Sequence, residues 1–365
     1  MRREITGQVL GIFEGWSYRE VEVPLLDYFD HLRDVLEPIS ANSTFRFVDR
    51  DGNLRVLRAD VTPAIAKIYA NQLTHLPLPL RLCYANKIVR IQRAFTSEQI
   101  ESYQLGVELI GAHGLIPELE VLLICIETLT ALGIEDYQIK LGNLAIYQRL
   151  LERSSVPTSV YGDITKAVLN RDPFEVRQRL HRIGVRPNIS EAIQSLASLS
   201  GGVEQLERIN AAIQHDDKLT QASQHMEKLL SSLDALNLAD KVHLDLGHIH
   251  GPMYYTGMTF RVISESIGRE LGGGGRYDNL IGAFGAQTPA VGFSLGLDAL
   301  LEIIAPHAAS EVAPTPGLSD AVVVVDPDSP HLNLQEAISR RAAGHVTRLT
   351  TPSTPPPPFR LENQT

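Results

Sequence analysis

Apolar positions recur along this chain with two periods, and the period changes where the elements change. Over residues 1–16, Ile5, Val9, Ile12, Phe13 and Trp16 fall on one face of a 3.6-residue turn, which predicts a helix. Residues 17–26 alternate polar and apolar as far as Pro24, which predicts a strand. Two further alternating runs between 45 and 60 flank Asp51-Gly52-Asn53, a turn signal, and predict a hairpin. The pattern then gives a helix over 62–73, strands over 80–93 and 102–111, and an amphipathic helix over 117–132 stopped by Gly133. A strand over 136–144 leads into a helix over 145–153.

The pattern shifts after that. Residues 157–240 show no convincing strand, only short amphipathic helices broken at Pro173, Pro187 and Gly201-Gly202. Strand alternation resumes at 241 and continues to 263, and a helix is predicted over 290–305. Three prolines within 306–318 suggest a linker, followed by a short buried strand at 320–326, a helix near 332–343 and a strand near 345–350. The end is proline-rich and predicted to be disordered. The expected division is a core in two parts, 1–156 and 241–305, interrupted by a helical insertion at 157–240. The linker 306–318, a small α/β segment at 319–350 and a tail at 351–365 follow. Strands joined mostly by hairpins, with helices between them, predict an α+β fold: an antiparallel sheet flanked by helices.

Composition narrows the function classes. The 365 residues are 44% hydrophobic and 21% charged, ordinary for a soluble globular protein with a sizeable core. The net charge of −10 argues against a nucleic-acid partner, whose backbone calls for a basic surplus. The most apolar stretch, Leu119 to Leu132, carries Glu120 and Glu127 and is too short to span a bilayer. The N-terminus has no charged leader before an apolar run, so no signal peptide is expected. Cys83 and Cys125 are far apart, in no CxxC pattern and in apolar surroundings, so both read as buried thiols in a reducing cytoplasm.

Five ordered stretches carry a family resemblance over roughly residues 10–305. "GWSYREVEVPLL" at 15–26 is similar to the dimer-forming first signature of class II aminoacyl-tRNA synthetases. "LRADVTP" at 57–63 resembles the amino-acid loop of the histidine enzymes, and 89–111 their second signature. "HGPMYYTGMTF" at 250–260, with "GGGGRYDNL" at 272–280, resembles their histidine motifs, and "PAVGFSLGLDALL" at 289–301 their third signature. The glycine run is no phosphate loop, since no Gly-Lys-Ser/Thr follows it.

The resemblance implies a class II synthetase-like core with a histidine pocket. Asp60 and Thr62 would take the ligand's ammonium, Gln104 and Glu108 its polar edges, and Tyr254, Tyr255 and Tyr277 would close the pocket. Gln104 and Glu108 are four apart on a strand and so share a face. Taken singly, each has a plainer reading: Glu108 as a rim carboxylate, Asp60 as the N-cap of the helix over 62–73, the tyrosines as packing residues.

The same resemblance shows what adenylation would miss. Arg90 matches an arginine that touches the α-phosphate and is a vestige of that site. Glu98 and Ala299 stand where arginines are expected, His250 replaces the arginine of "RGLDYY", and Met253 its aspartate. A neutral imidazole does not replace a guanidinium fork. No full anticodon-reading domain follows the linker, and members of the family usually carry a further element ahead of the first helix, which is expected to bear on dimer stability here. The chain therefore resembles the regulatory subunits of ATP phosphoribosyltransferase, a noncatalytic branch of the histidyl-tRNA synthetase paralogues. That branch implies no catalytic residue, cofactor or metal. Its partners would be a short-form catalytic subunit and a second copy of itself, within a hetero-octamer, with histidine as effector in the first step of histidine biosynthesis. The alternatives are a divergent histidyl-tRNA synthetase, a ligase for another amino acid, and an amino-acid or tRNA sensor.

Overall fold

Ile5, Val9 and Phe13 recur every four residues and are buried along helix α1 (Arg2–Gly15). Fully burying each such side chain contributes about 1.5–3 kcal/mol. The computed structural model of the chain describes residues 1–33, 35, 44–91, 100–198, 203–213, 216–247, 249, 254–285, 287–311, 321–324 and 347–350, the last two segments and 306–311 as backbone only. It falls into two units, Met1–Ile304 and Ala305–Thr365.

The first unit is built on an eight-stranded mixed sheet. Its strands are β1 (Arg19–Glu20), β5 (Leu80–Val89), β6 (Glu101–Ile110), β7 (Gln138–Asn143), β8 (Val242–Leu244), β9 (Met258–Ser264), β10 (Arg269–Arg276) and β11 (Ala290–Gly296). Their order in space is β1-β5-β6-β11-β10-β9-β7-β8. The six central strands pair antiparallel, and the two edge pairs, β1 with β5 and β7 with β8, are parallel. The expected antiparallel sheet is therefore antiparallel at its centre and mixed at its edges. A smaller antiparallel sheet holds β2 (Leu26–Tyr28), β3 (Arg46–Val48) and β4 (Leu54–Leu57), the last two forming the hairpin around Gly52.

One face of the large sheet is apolar. Leu105, Val107, Leu109, Phe293, Leu295, Phe260, Val262, Ile139 and Leu141 share a buried cluster with α1 and with the helix α4 (Leu115–Ala131). That helix stops at Gly133, whose φ of +69° is the left-handed conformation glycine adopts without strain. Cys83 and Cys125 are buried in this cluster as free thiols. The remaining helices of the unit include α2 (Phe29–Leu32), α3 (Thr62–Ile68) and α5 (Leu144–Arg153).

The segment after α5 is helical: α6 (Tyr161–Leu169), α7 (Pro173–Ile183), α8 (Pro187–Leu196), α9 (Val203–Ala212) and α10 (Asp217–Ala235). Pro173 and Pro187 each open a helix rather than merely ending one, as fits a residue with fixed φ and no N–H to lose. Asp172 and Asp216 cap α7 and α10, accepting from the backbone N–H of Glu175 and Leu219 at 2.8 and 3.1 Å. Gly201-Gly202 lies outside the described residues.

Three expectations need correction. The helix predicted over 290–305 is β11 up to Gly296, and α11 (Leu297–Glu311) begins only there. The same helix runs to Glu311, so 306–311 is helical where a linker was expected. Of the strand predicted over 17–26 only Arg19–Glu20 pairs with the sheet before Pro24. In the second unit, β12 (Ala321–Val324) and β13 (Thr347–Thr350) pair in parallel, within the two strands expected there. The helix expected near 332–343 and the tail 351–365 lie outside the described residues.

Candidate functional site

The face of the large sheet opposite the apolar cluster carries a trough. Because side chains alternate, this face takes Gln104, Gly106 and Glu108 from β6, Gly292, Ser294 and Gly296 from β11, and Gly273 and Gly275 from β10. Glu108 stands opposite Gly292 and Gln104 opposite Gly296, so the two polar residues do share the face that their spacing predicts. The small residues between them leave a cavity of about 460 Å³, lined among others by Asp60, Thr62, Arg90, Gln104, Tyr254, Tyr255 and Tyr277. That volume suits a small-molecule ligand. A smaller cavity of about 190 Å³ is also lined by Asp60, and otherwise largely by the small sheet and α3.

Glu108 is not at the rim. It is 1% exposed and lies beneath the cavity lining. Its Oε1 accepts hydrogen bonds from Thr62 Oγ1 at 2.7 Å and from Tyr84 Oη at 3.4 Å, and its Oε2 accepts from the Tyr277 hydroxyl. Burial pushes its carboxyl up to about 8, against the downward pull of the Thr62 and Tyr277 hydroxyls. The carboxyl group fits there only because Gly292 has no side chain: a Cβ would sit 1.9 Å from Glu108 Oε2. The polar edge offered to a ligand is thus the Thr62 and Tyr277 hydroxyls, with Glu108 holding them in place.

Asp60 is not a helix cap. The residue before α3 is Val61, and no side chain caps that helix. Asp60 Oδ2 instead accepts from Tyr254 Oη at 2.7 Å. Tyr254 packs edge-on against Tyr255 and Tyr277, with ring centres 5.3 and 5.8 Å away, so the three tyrosines form one aromatic wall. Desolvation raises the pKa of all three hydroxyls, with Asp60 and Glu108 adding to it at Tyr254 and Tyr255 and Glu108 at Tyr277, so they remain hydrogen-bond donors. Gln104 accepts from the backbone N–H of Val61 at 3.2 Å, and its Nε2 lies 3.4 Å from Ser294 Oγ. Arg90 Nε donates to the Ala59 carbonyl at 2.7 Å. Every sequence-predicted site residue is therefore at this one place, six of the amino-acid set and Arg90 on the cavity lining and Glu108 behind it.

Thr259, Arg261, Glu270 and Ser294 also line the cavity, and sequence reading missed them. In "TFRVIS" a charged residue alternating with buried Phe260 and Val262 resembles a solvent-facing position. Ala299, where a phosphate-binding arginine was expected, is buried in the main apolar cluster. Glu98, His250 and Met253 lie outside the described residues.

A family model described as histidyl-tRNA synthetase matches residues 1–300. An ATP phosphoribosyltransferase regulatory subunit from Symbiobacterium thermophilum is 32% identical over 94% of this chain and 85% of the relative. One from Geobacter sulfurreducens is 30% identical over 94% of this chain and 78% of the relative. The chain belongs to the ATP phosphoribosyltransferase regulatory subunit family, on the histidyl-tRNA synthetase fold. A solved structure described as an ATP phosphoribosyltransferase regulatory subunit/histidyl-tRNA synthetase from Bacillus halodurans superposes with a TM-score of 0.84 at 25% identity, over 98% of this chain and 90% of that one. The histidyl-tRNA synthetase of Nostoc sp. shares the fold, with a TM-score of 0.74 at 19% identity, over 97% and 83% of the two chains.

Proposed function

We propose that this chain is a noncatalytic, cytoplasmic regulatory subunit of ATP phosphoribosyltransferase that binds histidine in the cavity between Asp60 and the tyrosine wall. The carrying observation is an asymmetry of the site. The groups suited to an amino acid, Asp60, Thr62, Gln104, Tyr254, Tyr255 and Tyr277, converge on one cavity, whereas by the family resemblance Glu98, His250 and Ala299 stand where adenylating relatives carry arginines. Adenylation gathers negative charge on the ATP phosphates, and each missing cation costs a few kcal/mol of transition-state stabilisation. A site that keeps the ligand contacts and loses the phosphate contacts suits sensing rather than activation.

In this reading Asp60 takes the ligand's ammonium; Thr62, expected to share it, is instead tied to Glu108, and its hydroxyl and that of Tyr277 meet the imidazole. A site of buried hydrogen-bonding groups rejects apolar isosteres, which would leave those groups unpaired. The chain dimerises through its synthetase-like core and assembles with a short-form catalytic subunit into a hetero-octamer, supporting activity when histidine is scarce. Histidine binding one state of the assembly better than the other by about 1–3 kcal/mol gives useful feedback. The test pairs calorimetry of histidine binding with histidine-dependent ATP–pyrophosphate exchange on the purified chain. Binding without exchange is expected. Exchange would make the chain an enzyme and overturn the reading.

A further inference from the structure

Among the described residues, two buried side-chain polar atoms have no hydrogen-bond partner: Thr259 Oγ1 and Arg261 Nε. Both residues line the large cavity. They lie two apart on β9 and so point to the same face of the sheet. Across the ladder they stand opposite Gly275 and Gly273 of β10, which carry no side chain to cover them. Thr259 is 3% exposed, so its hydroxyl has little access to bulk water. Buried donors in native proteins are nearly always paired, and a donor left unpaired in a cavity wall is a place for a ligand atom.

The cation is the informative member of the pair. Arg90 and Arg261 both line the cavity. Arg90 is exposed, and its Nε is already committed to the Ala59 carbonyl. Arg261 is half-buried, its Nε is unbonded, and it forms no ion pair among the described residues. Glu270 also lines the cavity, but it is exposed to solvent and makes no ion pair with Arg261 among the described residues. An amino acid enters as a zwitterion. Its ammonium has Asp60, and its carboxylate needs a cation elsewhere on the same cavity.

We propose that Arg261, with the Thr259 hydroxyl beside it, is the carboxylate anchor of this cavity, so that an amino-acid ligand is held between Asp60 and Arg261. The inference rests on the reading of the cavity as a histidine site, and the test separates the two. Calorimetry would compare L-histidine with L-histidinol, which lacks the carboxylate, on the full-length wild-type chain and on Arg261→Gln. Wild type is expected to prefer histidine by about tenfold or more, the contribution of a charge-assisted hydrogen bond. Arg261→Gln should abolish that preference while leaving histidinol binding within about twofold, which also shows that the variant is folded. Arg261→Lys, which keeps the charge and loses the fork, should retain part of the preference. Unchanged histidine binding by Arg261→Gln would overturn the anchor while the histidine site stands, and so would an equal loss of both ligands. Weakened AMP binding with unchanged histidine binding would assign Arg261 to a phosphate, and also overturn it. No histidine binding by the wild type would remove the histidine reading itself, and the anchor with it.

Discussion

Glu108 is a carboxyl surrounded by hydroxyl donors in a place water does not reach, and desolvation outweighs the donors. Its folded pKa of about 8 lies above the ordinary 4.5, so the folded state holds the proton more tightly than the unfolded chain does. The stability this group contributes is complete below about pH 4.5 and is lost as pH rises through about 8. Thermal melts of the wild type should therefore fall in Tm across that range, and Glu108→Gln should flatten the fall. Parallel curves for the two proteins would refute the buried, proton-binding state. Gly292 gives a second prediction. A methyl there meets Glu108 Oε2 at 1.9 Å and the Val107 carbonyl at 2.4 Å, so Gly292→Ala should cost about 1–3 kcal/mol or more by overpacking, measured by denaturant unfolding. Asp60→Asn keeps an acceptor for Tyr254 but removes the charge opposite a ligand ammonium. Histidine affinity should fall about 10–100-fold with little change in Tm, as calorimetry would read. The sequence made Gln104 and Glu108 legible as a pair because strand alternation is a strict rule. It did not reveal that Glu108 acts from behind Thr62 and Tyr277, because depth below a surface has no period along a chain.

Long, strongly periodic elements read correctly and glycine-rich or short ones did not. The helices over 2–15 and 115–131 and the strands over 80–89 and 101–110 match their patterns to within a few residues. The run 272–275 was not assigned to a strand, since glycine ordinarily weakens one, yet β10 pairs along both edges there. Its neighbours hold it in the sheet, and the missing side chains are what open the cavity. The same tertiary override hid β11, whose apolar run reads equally well as a helix. A buried carboxylate ties the helical segment to α5, and it gives a test. Asp216, 3% exposed, caps α10 and accepts from Arg149 and Arg153 of α5, at 2.9 and 3.2 Å. Asp216→Ala should lose about 1–3 kcal/mol, with hydrogen exchange accelerated first at the start of α10. Exchange unchanged at Leu219 and Thr220 would show that the cap contributes little.

On the scale of the whole molecule, the family resemblance was legible because its signatures occur in order, and their order survives where single residues have changed. What they bring together is one sheet with two different faces: an apolar one that holds the helices, and a glycine-rich one that holds the candidate site. Among the described residues no helix is long and apolar enough to cross a membrane. In the proposed reading this cavity serves the regulation of another protein's catalysis. The most direct measurement is ATP phosphoribosyltransferase activity of a purified short-form catalytic subunit, with and without this chain, across a histidine titration. Activity should rise on adding the chain and then be inhibited by histidine, with the inhibition shifted to higher histidine in Asp60→Asn. Activity indifferent to the chain would contradict that reading.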